Sequence, residues 1–209
     1  MKYFLKLGFV LLLITVIASG ILAFVNDLTK DRISENKEVA QKEARAKLFL
    51  QPVSFEENII NLPAKEQEIN PLKKFEEPDS LEFVYYVGYN ESGELDGYDE
   101  SDELVGYCFM DSLYGYSSEV KTMVAVGLDF NVLKIDVIDQ LETPGLGAKA
   151  DTPDFEERFI GKNLSQMKVK KDGGKIKAIT GATITSRTVT QSIAEGLKKL
   201  KKALGREAE

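Results

Sequence analysis

The stretch Lys121-Thr122-Met123-Val124-Ala125-Val126-Gly127-Leu128 is largely apolar on both of its alternating faces. A strand that is apolar on both faces is typical of the interior of a sheet, so this segment predicts a central strand. A second strand-like run, residues 132–138, follows directly after Asp129-Phe130-Asn131. Because so short a connection is typical of a tight hairpin, the two runs are predicted to be antiparallel neighbours.

Two more strands are predicted before this hairpin. Residues 81–87 and 104–110 are rich in aromatic and β-branched side chains, and a polar, acidic turn separates them. Cys108 lies within the second run, where a small buried hydrophobic residue is expected. Residues 51–80 contain four prolines and many charges, which favours a loop-rich connector with short extended pieces and no site.

Short elements are predicted after the hairpin. Residues 155–160 form a candidate helix with Asp151 or Thr152 as its cap. Residues 167–170 and 175–179 are predicted to be strands on either side of a turn that contains two glycines.

An amphipathic helix is predicted over residues 186–205, with Thr185 or Ser186 as its N-cap. The apolar residues recur at steps of three and four, which places them on one face: Val189, Ile193, Leu197, Leu200 and Leu204. These elements together predict an α+β domain with a mixed, largely antiparallel sheet and flanking helices.

The N-terminal segment predicts a membrane helix. Residues 7–26 contain no charged side chain, and about 20 apolar residues match the thickness of a bilayer core. Lys2 and Lys6 on the N-terminal side predict that residues 1–6 are cytoplasmic. A cleaved signal peptide is the alternative, but its apolar core is usually shorter. Residues 27–50 keep a helical spacing and predict a connecting helix, which leaves residues 51–209 as an extracytoplasmic domain.

The composition excludes several kinds of site. The 209 residues include no histidine and one cysteine, and the formal net charge is -7. Histidine-based zinc sites, Ser-His-Asp catalysis, haem ligation by histidine and cysteine-ligated iron–sulfur clusters are therefore excluded, as is an internal disulfide. The acidic balance argues against nucleic acid as a partner. Demanding chemistry would have to come from carboxylates or from a bound organic cofactor.

Two loops carry the candidate site. In residues 142–149, with sequence ETPGLGAK, two glycines allow backbone N–H groups to approach a ligand, although glycine loops are common. In residues 180–186, with sequence TGATITS, Gly181 and Ala182 leave the hydroxyl of Thr183 uncrowded before a helix. A helix N-terminus favours an anion such as a phosphate, whereas a simple N-cap would explain the hydroxyls without a ligand.

The ETPGLG loop, the TGAT motif and a single N-terminal membrane helix together resemble RnfG, the FMN-binding component of the Rnf electron-transport complex. The chain is also similar to the homologous FMN-binding component of the sodium-pumping NADH:quinone reductase, although its compact length favours the Rnf protein. The resemblance implies that Thr183 carries FMN through a phosphoester bond. It further implies that a separate flavin transferase attaches the FMN, with FAD as donor.

The resemblance also implies roles for the neighbouring residues. Leu146 is expected to pack on the isoalloxazine, and Glu142 is expected to hold its own loop by accepting bonds from backbone N–H groups. Tyr116 is expected either to stack near the flavin or to be a buried structural tyrosine. The remaining expected cofactor contacts are Thr143, Gly145, Gly147, Thr180, Gly181, Ala182 and Thr185.

The chain departs from the family pattern at Lys177, where relatives commonly have an acidic residue before the motif. Asp172 is the nearest earlier acid in this region, and from the sequence it belongs to a different turn. If the transferase requires an acid at position 177, the efficiency of FMN attachment is in doubt.

The resemblance implies electron transfer within a membrane complex. That complex couples ferredoxin oxidation and NAD reduction to the pumping of sodium ions or protons, so the partners are its other membrane subunits, and this subunit is not catalytic alone. Two alternatives are a stand-alone extracytoplasmic flavin carrier and a cofactor-free, membrane-tethered scaffold domain.

Overall fold

The computed structural model describes residues 2–49, 53–63, 80–90 and 103–206. The chain divides into two compact units, Met1–Lys42 and Glu43–Glu209. The first unit is formed by helix α1 (Lys2–Leu48), which continues without a break into the start of the second. Among the described helices, α1 is long and apolar enough to cross a membrane. The predicted connecting helix is therefore continuous with the predicted membrane helix.

The second unit contains a five-stranded sheet. Its strands are β1 (Val53–Pro63), β2 (Ser80–Asn90), β3 (Leu104–Tyr114), β4 (Glu119–Gly127) and β5 (Val132–Asp139), and they lie side by side in chain order. Every pairing between these described strands is antiparallel, so the predicted mixed character is not found in the sheet. β4 is hydrogen-bonded on both edges, as an interior strand should be, although β3 occupies the middle of the sheet.

The prediction of a loop-rich connector was wrong for Val53–Pro63. This segment pairs with β2 over its whole length, from Val53 opposite Asn90 to Pro63 opposite Ser80. Proline is tolerated at the end of an edge strand, because the missing N–H breaks no interior ladder. The rest of the predicted connector, residues 64–79, and most of the predicted acidic turn lie outside the described residues.

The β4–β5 hairpin confirms its prediction. Its turn is closed by hydrogen bonds from Gly127 N–H to Asn131 C=O and from Phe130 N–H to Gly127 C=O, both 2.9 Å. Phe130 has φ 62°, and the Asp129 carboxylate accepts the Asn131 N–H at 3.0 Å.

Two more helices follow the sheet in the chain, α2 (Pro153–Glu156) and α3 (Thr183–Ala203). The helix predicted at residues 155–160 lies close to the position of α2. Thr152 occupies the N-cap position of α2, as one of the two predicted caps, but its side chain makes no cap hydrogen bond. α3 begins three residues earlier than predicted.

The two strands predicted at residues 167–170 and 175–179 are not formed. Val169 and Ile176 pair as an isolated parallel bridge, Ile179 and Ala182 pair as an isolated antiparallel bridge, and Lys170–Asp172 form a 3₁₀ turn. Gly173 has φ 82°, and a Cβ on Gly174 would lie 1.9 Å from the Lys168 carbonyl oxygen. The chain therefore reverses too tightly to extend a strand ladder on either side.

The sheet packs on both faces because successive side chains of its strands point to opposite faces and apolar side chains lie on each. One face lies against α3 in a core that includes Phe109, Val124, Ile193 and Leu197. On the other face, Cys108, Met123 and Ala125 pack with three residues from the end of α1 and just beyond it: Ala44, Leu48 and Phe49. Cys108 is fully buried as predicted, and burial raises its pKa to about 12, which keeps the thiol protonated and unreactive.

Gly196 brings α3 close to the middle of the sheet. A Cβ at this position would lie 2.0 Å from Cε2 of Phe109, whose side chain is fully buried. The aromatic ring therefore occupies the space that any larger residue at position 196 would need.

We expect Gly196→Ala to destabilise the protein. Alanine is favoured over glycine in a helix by about 1 kcal/mol, but overpacking a rigid core typically costs about 1–3 kcal/mol. Because the overlap is with a buried ring, we expect a lower unfolding midpoint in urea for the full-length chain in detergent. The double variant Gly196→Ala, Phe109→Leu should recover part of the loss; an equally unstable double variant would contradict the proposed cause.

Candidate functional site

The TGAT motif forms a tight turn that leads into α3. The Ala182 N–H donates to the Ile179 carbonyl at 3.1 Å, and Gly181 has φ 80°. A positive φ at this position of a turn favours glycine. A Cβ on Gly181 would also lie 2.9 Å from Cδ2 of Leu146. The positive φ thus favours glycine at position 181, which also lies close to the ETPGLG loop, while Ala182 is buried in the core.

Thr183 is the first residue of α3 and is half-buried. Its hydroxyl oxygen accepts a hydrogen bond from Nζ of Lys171 at 3.1 Å. The N-cap position is held by Ala182, which has no side chain able to bond the first-turn N–H groups. These N–H groups lack intrahelical acceptors, so the start of α3 has the donors that an anion requires.

The prediction that Thr185 or Ser186 caps the helix was wrong, because both lie inside it and bond elsewhere. The Ser186 hydroxyl accepts from the Ile179 N–H and donates to the Ala182 carbonyl, both at 2.9 Å. It therefore holds the TGAT turn in place. The Thr185 hydroxyl donates to Oε2 of Glu142 at 2.6 Å, which joins the two motifs directly.

Glu142 connects three segments of the chain. Its side chain is buried, and Oε1 accepts the N–H groups of Ser117 at 2.9 Å and Ser118 at 3.1 Å. The expectation that Glu142 accepts hydrogen bonds from the N–H groups of its own loop was wrong. The groups that donate to its carboxylate belong to the β3–β4 loop and to α3. Burial raises the pKa of this carboxyl, but the bonds from Thr185, Ser117, Ser118 and the Tyr116 backbone together hold it below its ordinary value.

Two glycines make room for this carboxylate. A Cβ on Gly115 would lie 2.6 Å from Oε1 of Glu142, and a Cβ on Gly147 would lie 2.7 Å from Oε2. Both distances are shorter than a side-chain contact allows. Gly147, the second glycine of the ETPGLG loop, therefore allows the Glu142 carboxylate to pack closely against it.

Further hydrogen bonds fasten the same segments. The Ser118 hydroxyl accepts the Leu141 N–H at 2.8 Å, and the side-chain oxygen of Gln140 accepts the Glu142 N–H at 2.8 Å. The Thr188 hydroxyl, one turn along α3, donates to the Tyr114 carbonyl at 3.3 Å. The β3–β4 loop, the chain before Glu142 and the first turns of α3 are thus tied together.

The surface of the site is open and partly apolar. Thr143 and Gly145 are exposed, and no atom lies within 4 Å of the position that a Cβ on Gly145 would occupy. The exposed fractions are 43% for Leu146, 50% for Ile184 and 66% for Tyr116. The alternative of a buried structural Tyr116 was therefore wrong.

The turn before the motif lies closer to α3 than the sequence indicates. The Asp172 carboxylate accepts two bonds from Arg187, at 2.7 and 2.8 Å, and Arg187 follows Thr183 by one turn of the helix. These bonds and the positive charge lower the pKa of Asp172. The Lys177 side chain is exposed, and its carbonyl accepts a bond from Arg158 at 2.7 Å.

Sequence reasoning missed Lys171, and it missed Ser117 and Ser118 as donors to Glu142. Lys171 reaches Thr183 across twelve residues through a turn whose shape depends on Gly173. No linear pattern identifies such a contact. The serines belong to the segment around Tyr116, but their N–H groups, not their side chains, bond Glu142, and backbone donors leave no residue signature.

We expect Glu142→Gln to lower the stability of the full-length chain in detergent by about 1–3 kcal/mol at neutral pH, because an amide replaces one acceptor oxygen with a donor. The folded-state pKa of Glu142 is lowered, so the ionised form stabilises the fold above the unfolded-state pKa of about 4.3. That contribution is lost as the pH falls through the folded-state pKa. Urea unfolding from pH 7 downward should show the difference between wild type and variant shrinking below about pH 4.

Glu156→Gln is the matched control for this experiment. The Glu156 carboxylate also accepts a backbone N–H, from Val137 at 3.0 Å, but burial raises its pKa. Folding therefore favours its neutral form relative to the unfolded state, so wild type should gain stability relative to this variant as the pH falls. The same pH trend in both variants would contradict the assignment of the lowered pKa to Glu142.

The chain matches two family models. Residues 2–48 match the model described as the RnfG N-terminal region, and residues 115–198 match the model described as the FMN-binding domain. The second match contains Tyr116, the ETPGLG loop and the TGAT motif, and the first corresponds to α1.

Relatives match over most of the chain. The G component of the Na(+)-translocating ferredoxin:NAD(+) oxidoreductase complex of Acetobacterium woodii is 32% identical over 199 residues, which covers 92% of this chain and 89% of that protein. The G component of the ion-translocating oxidoreductase complex of Methanosarcina acetivorans is 28% identical over 184 residues, covering 88% and 87%. Among solved structures, NqrC of Shewanella oneidensis is 21% identical with a TM-score of 0.48, covering 72% of this chain and 85% of that one. With its N-terminal RnfG region and its FMN-binding domain, the chain belongs to the RnfG family of the ion-translocating oxidoreductase, or Rnf, complexes.

Proposed function

We propose that this chain is a membrane-bound flavoprotein subunit that carries FMN on Thr183 and relays electrons within an ion-translocating ferredoxin:NAD oxidoreductase complex. The observation that carries the proposal is the half-buried Thr183 hydroxyl at the uncapped start of α3, beside the ammonium group of Lys171. Membership of the RnfG family and the matched FMN-binding domain support the same conclusion.

The residues at the start of α3 suit a phosphoester. In its formation the Thr183 oxygen bonds to the FMN phosphorus of FAD, the pyrophosphate bond breaks, and AMP leaves while the hydroxyl proton is released. A flavin transferase brings FAD to this hydroxyl. The resulting phosphodiester keeps one negative charge, which Lys171 and the first-turn N–H groups of α3 are placed to balance.

The ETPGLG loop suits the ring system. Leu146 offers an exposed apolar side chain that contacts the TGAT turn, and Gly145 leaves open space for a ligand to approach the backbone. Thr143 and Tyr116 are exposed on the two loops that Glu142 joins. Bound FMN supplies redox chemistry that no side chain of a histidine-free, single-cysteine chain provides.

The role of the subunit is to transfer electrons, and it is not catalytic on its own. Its partners are the other membrane subunits of the complex, which donate and accept the electrons. The coupling of these transfers to ion movement belongs to the assembled complex, since this chain contributes one described helix suited to a membrane.

In the cell, we propose that this chain is a single-pass protein of the cytoplasmic membrane. Residues 1–6, with their lysines, lie in the cytoplasm, residues 7–26 cross the bilayer, and residues 51–209 lie on the extracytoplasmic face. An attached flavin would be retained there, where a lost cofactor is not easily replaced.

We expect Thr183→Val to abolish flavin attachment. The full-length chain is co-expressed with its flavin transferase, and the intact mass of wild type should exceed the sequence mass by one FMN less one water. Wild type should also give a fluorescent band after denaturing electrophoresis, and Thr183→Val should lose both signals because it lacks the acceptor oxygen.

Thr183→Ser serves as the control, since it keeps a hydroxyl at the start of α3 and should retain some flavin. Flavin that persists on the valine variant would show that another hydroxyl, such as that of Thr185, is the acceptor. A wild-type protein without the added mass would refute covalent attachment altogether.

The predicted orientation is tested by protease treatment of intact protoplasts or spheroplasts. We expect the domain after α1 to be digested and a tag fused before Lys2 to be protected. A domain that resists protease until the cells are lysed would reverse the orientation.

A further inference from the structure

Glu142 is a buried anion without a cationic partner. Its hydrogen-bond donors are the Thr185 hydroxyl and backbone N–H groups of residues 116–118, none of which carries a full charge. In the described part of the chain no lysine or arginine forms an ion pair with it, whereas Asp111 and Asp172 each have one. The lowered pKa of Glu142 means that the carboxyl is ionised at neutral pH, so a whole negative charge stays in the site.

This charge lies between the two motifs of the site. Oε2 of Glu142 bonds Thr185, two residues after Thr183, and the same oxygen is the one that a Cβ on Gly147 would meet. With only 5% of the residue exposed, water has little direct contact with the carboxylate. Any group bound over the ETPGLG loop and the start of α3 is therefore subject to its field.

We propose that the Glu142 carboxylate is a fixed negative charge that holds the reduction potential of the bound flavin low. This inference rests on the proposed FMN attachment at Thr183. Each electron that enters a flavin adds negative charge, and a nearby buried carboxylate raises the free energy of the reduced form relative to the oxidised form. The electron comes from the donor side of the complex and leaves more readily towards the acceptor.

A purely structural Glu142 would not need its charge. Neutral oxygens, such as backbone carbonyls, accept N–H and O–H bonds throughout proteins, and the same loops could be joined without an ion. Burying an ionised carboxyl without a cation is costly, and here hydrogen bonds from two segments, the β3–β4 loop and α3, offset that cost. The structure thus maintains a charge, and not only a connection.

The experiment compares flavin potentials in full-length, flavinylated chains, measured by spectroelectrochemical titration in detergent. Glu142→Gln keeps the side-chain shape and removes the charge, so its potential should be more positive than that of wild type. We expect a shift of about 59 mV or more, the size of a tenfold change in a one-electron equilibrium. Glu156→Gln removes a partly buried carboxylate on α2 and should leave the potential unchanged.

A second variant covers the case in which Glu142→Gln does not fold or does not load. Ser117 is exposed, and it contacts Glu142 through its backbone N–H, so Ser117→Lys keeps the carboxylate and its bonds while adding a positive charge on a residue that is hydrogen-bonded to Glu142. Its potential should also rise. If Glu142→Gln carries FMN and its flavin has the wild-type potential, the inference is overturned. If Glu142→Gln carries no FMN, a wild-type potential in Ser117→Lys overturns it instead. A wild-type chain without attached FMN refutes the proposed function instead.

Discussion

The carboxylate of Glu142 is the point at which the candidate site is assembled. Three stretches that are distant in sequence meet there: the β3–β4 loop through two backbone N–H groups, the ETPGLG loop through Glu142 itself, and α3 through the Thr185 hydroxyl. Gly115 and Gly147 are adapted to it, since a side chain at either position would collide with the carboxylate oxygens. Removing this one acceptor would leave the buried Thr185 hydroxyl and the partly buried N–H groups of the β3–β4 loop without their partner.

The position of Thr183 depends in turn on how α3 lies against the sheet. The helix packs on β3 and β4 through a fully buried apolar face, and Gly196 lets the Phe109 ring sit directly against its backbone. At the start of the helix, Ser186 bonds back to Ile179 and fixes the turn that presents Thr183. The long-range packing sets where the helix is, and these short-range hydrogen bonds set where its first hydroxyl is.

The sequence predicted the parts of the fold that repeat a pattern. Alternation in residues 121–128 and the spacing of Val189 to Leu204 correctly indicated β4 and α3. β1 was missed because prolines and charges mask its alternation, whereas in the structure it pairs with β2 over its whole length. The turn at Lys170–Asp172 was misjudged because Gly174 packs on the Lys168 carbonyl, a tertiary contact without a sequence period. In the site, the two motifs indicated which loops matter, but neither Lys171 beside Thr183 nor the true donors of Glu142 has a linear signature.

The openness of the site gives a physical reason for the proposed covalent attachment of FMN. Ligands held by noncovalent forces are usually buried over most of their surface in a concave pocket. Here Leu146, Ile184 and Tyr116 keep large fractions of their surface exposed, and Gly145 borders open space. Such a surface removes little of a flavin from water, so contact alone would give weak retention, while an exposed ring favours electron exchange with a neighbouring protein of the complex. The proposed phosphoester at Thr183 would resolve the conflict, because retention would then depend on a bond at the helix terminus and the ring would remain free to contact its partners.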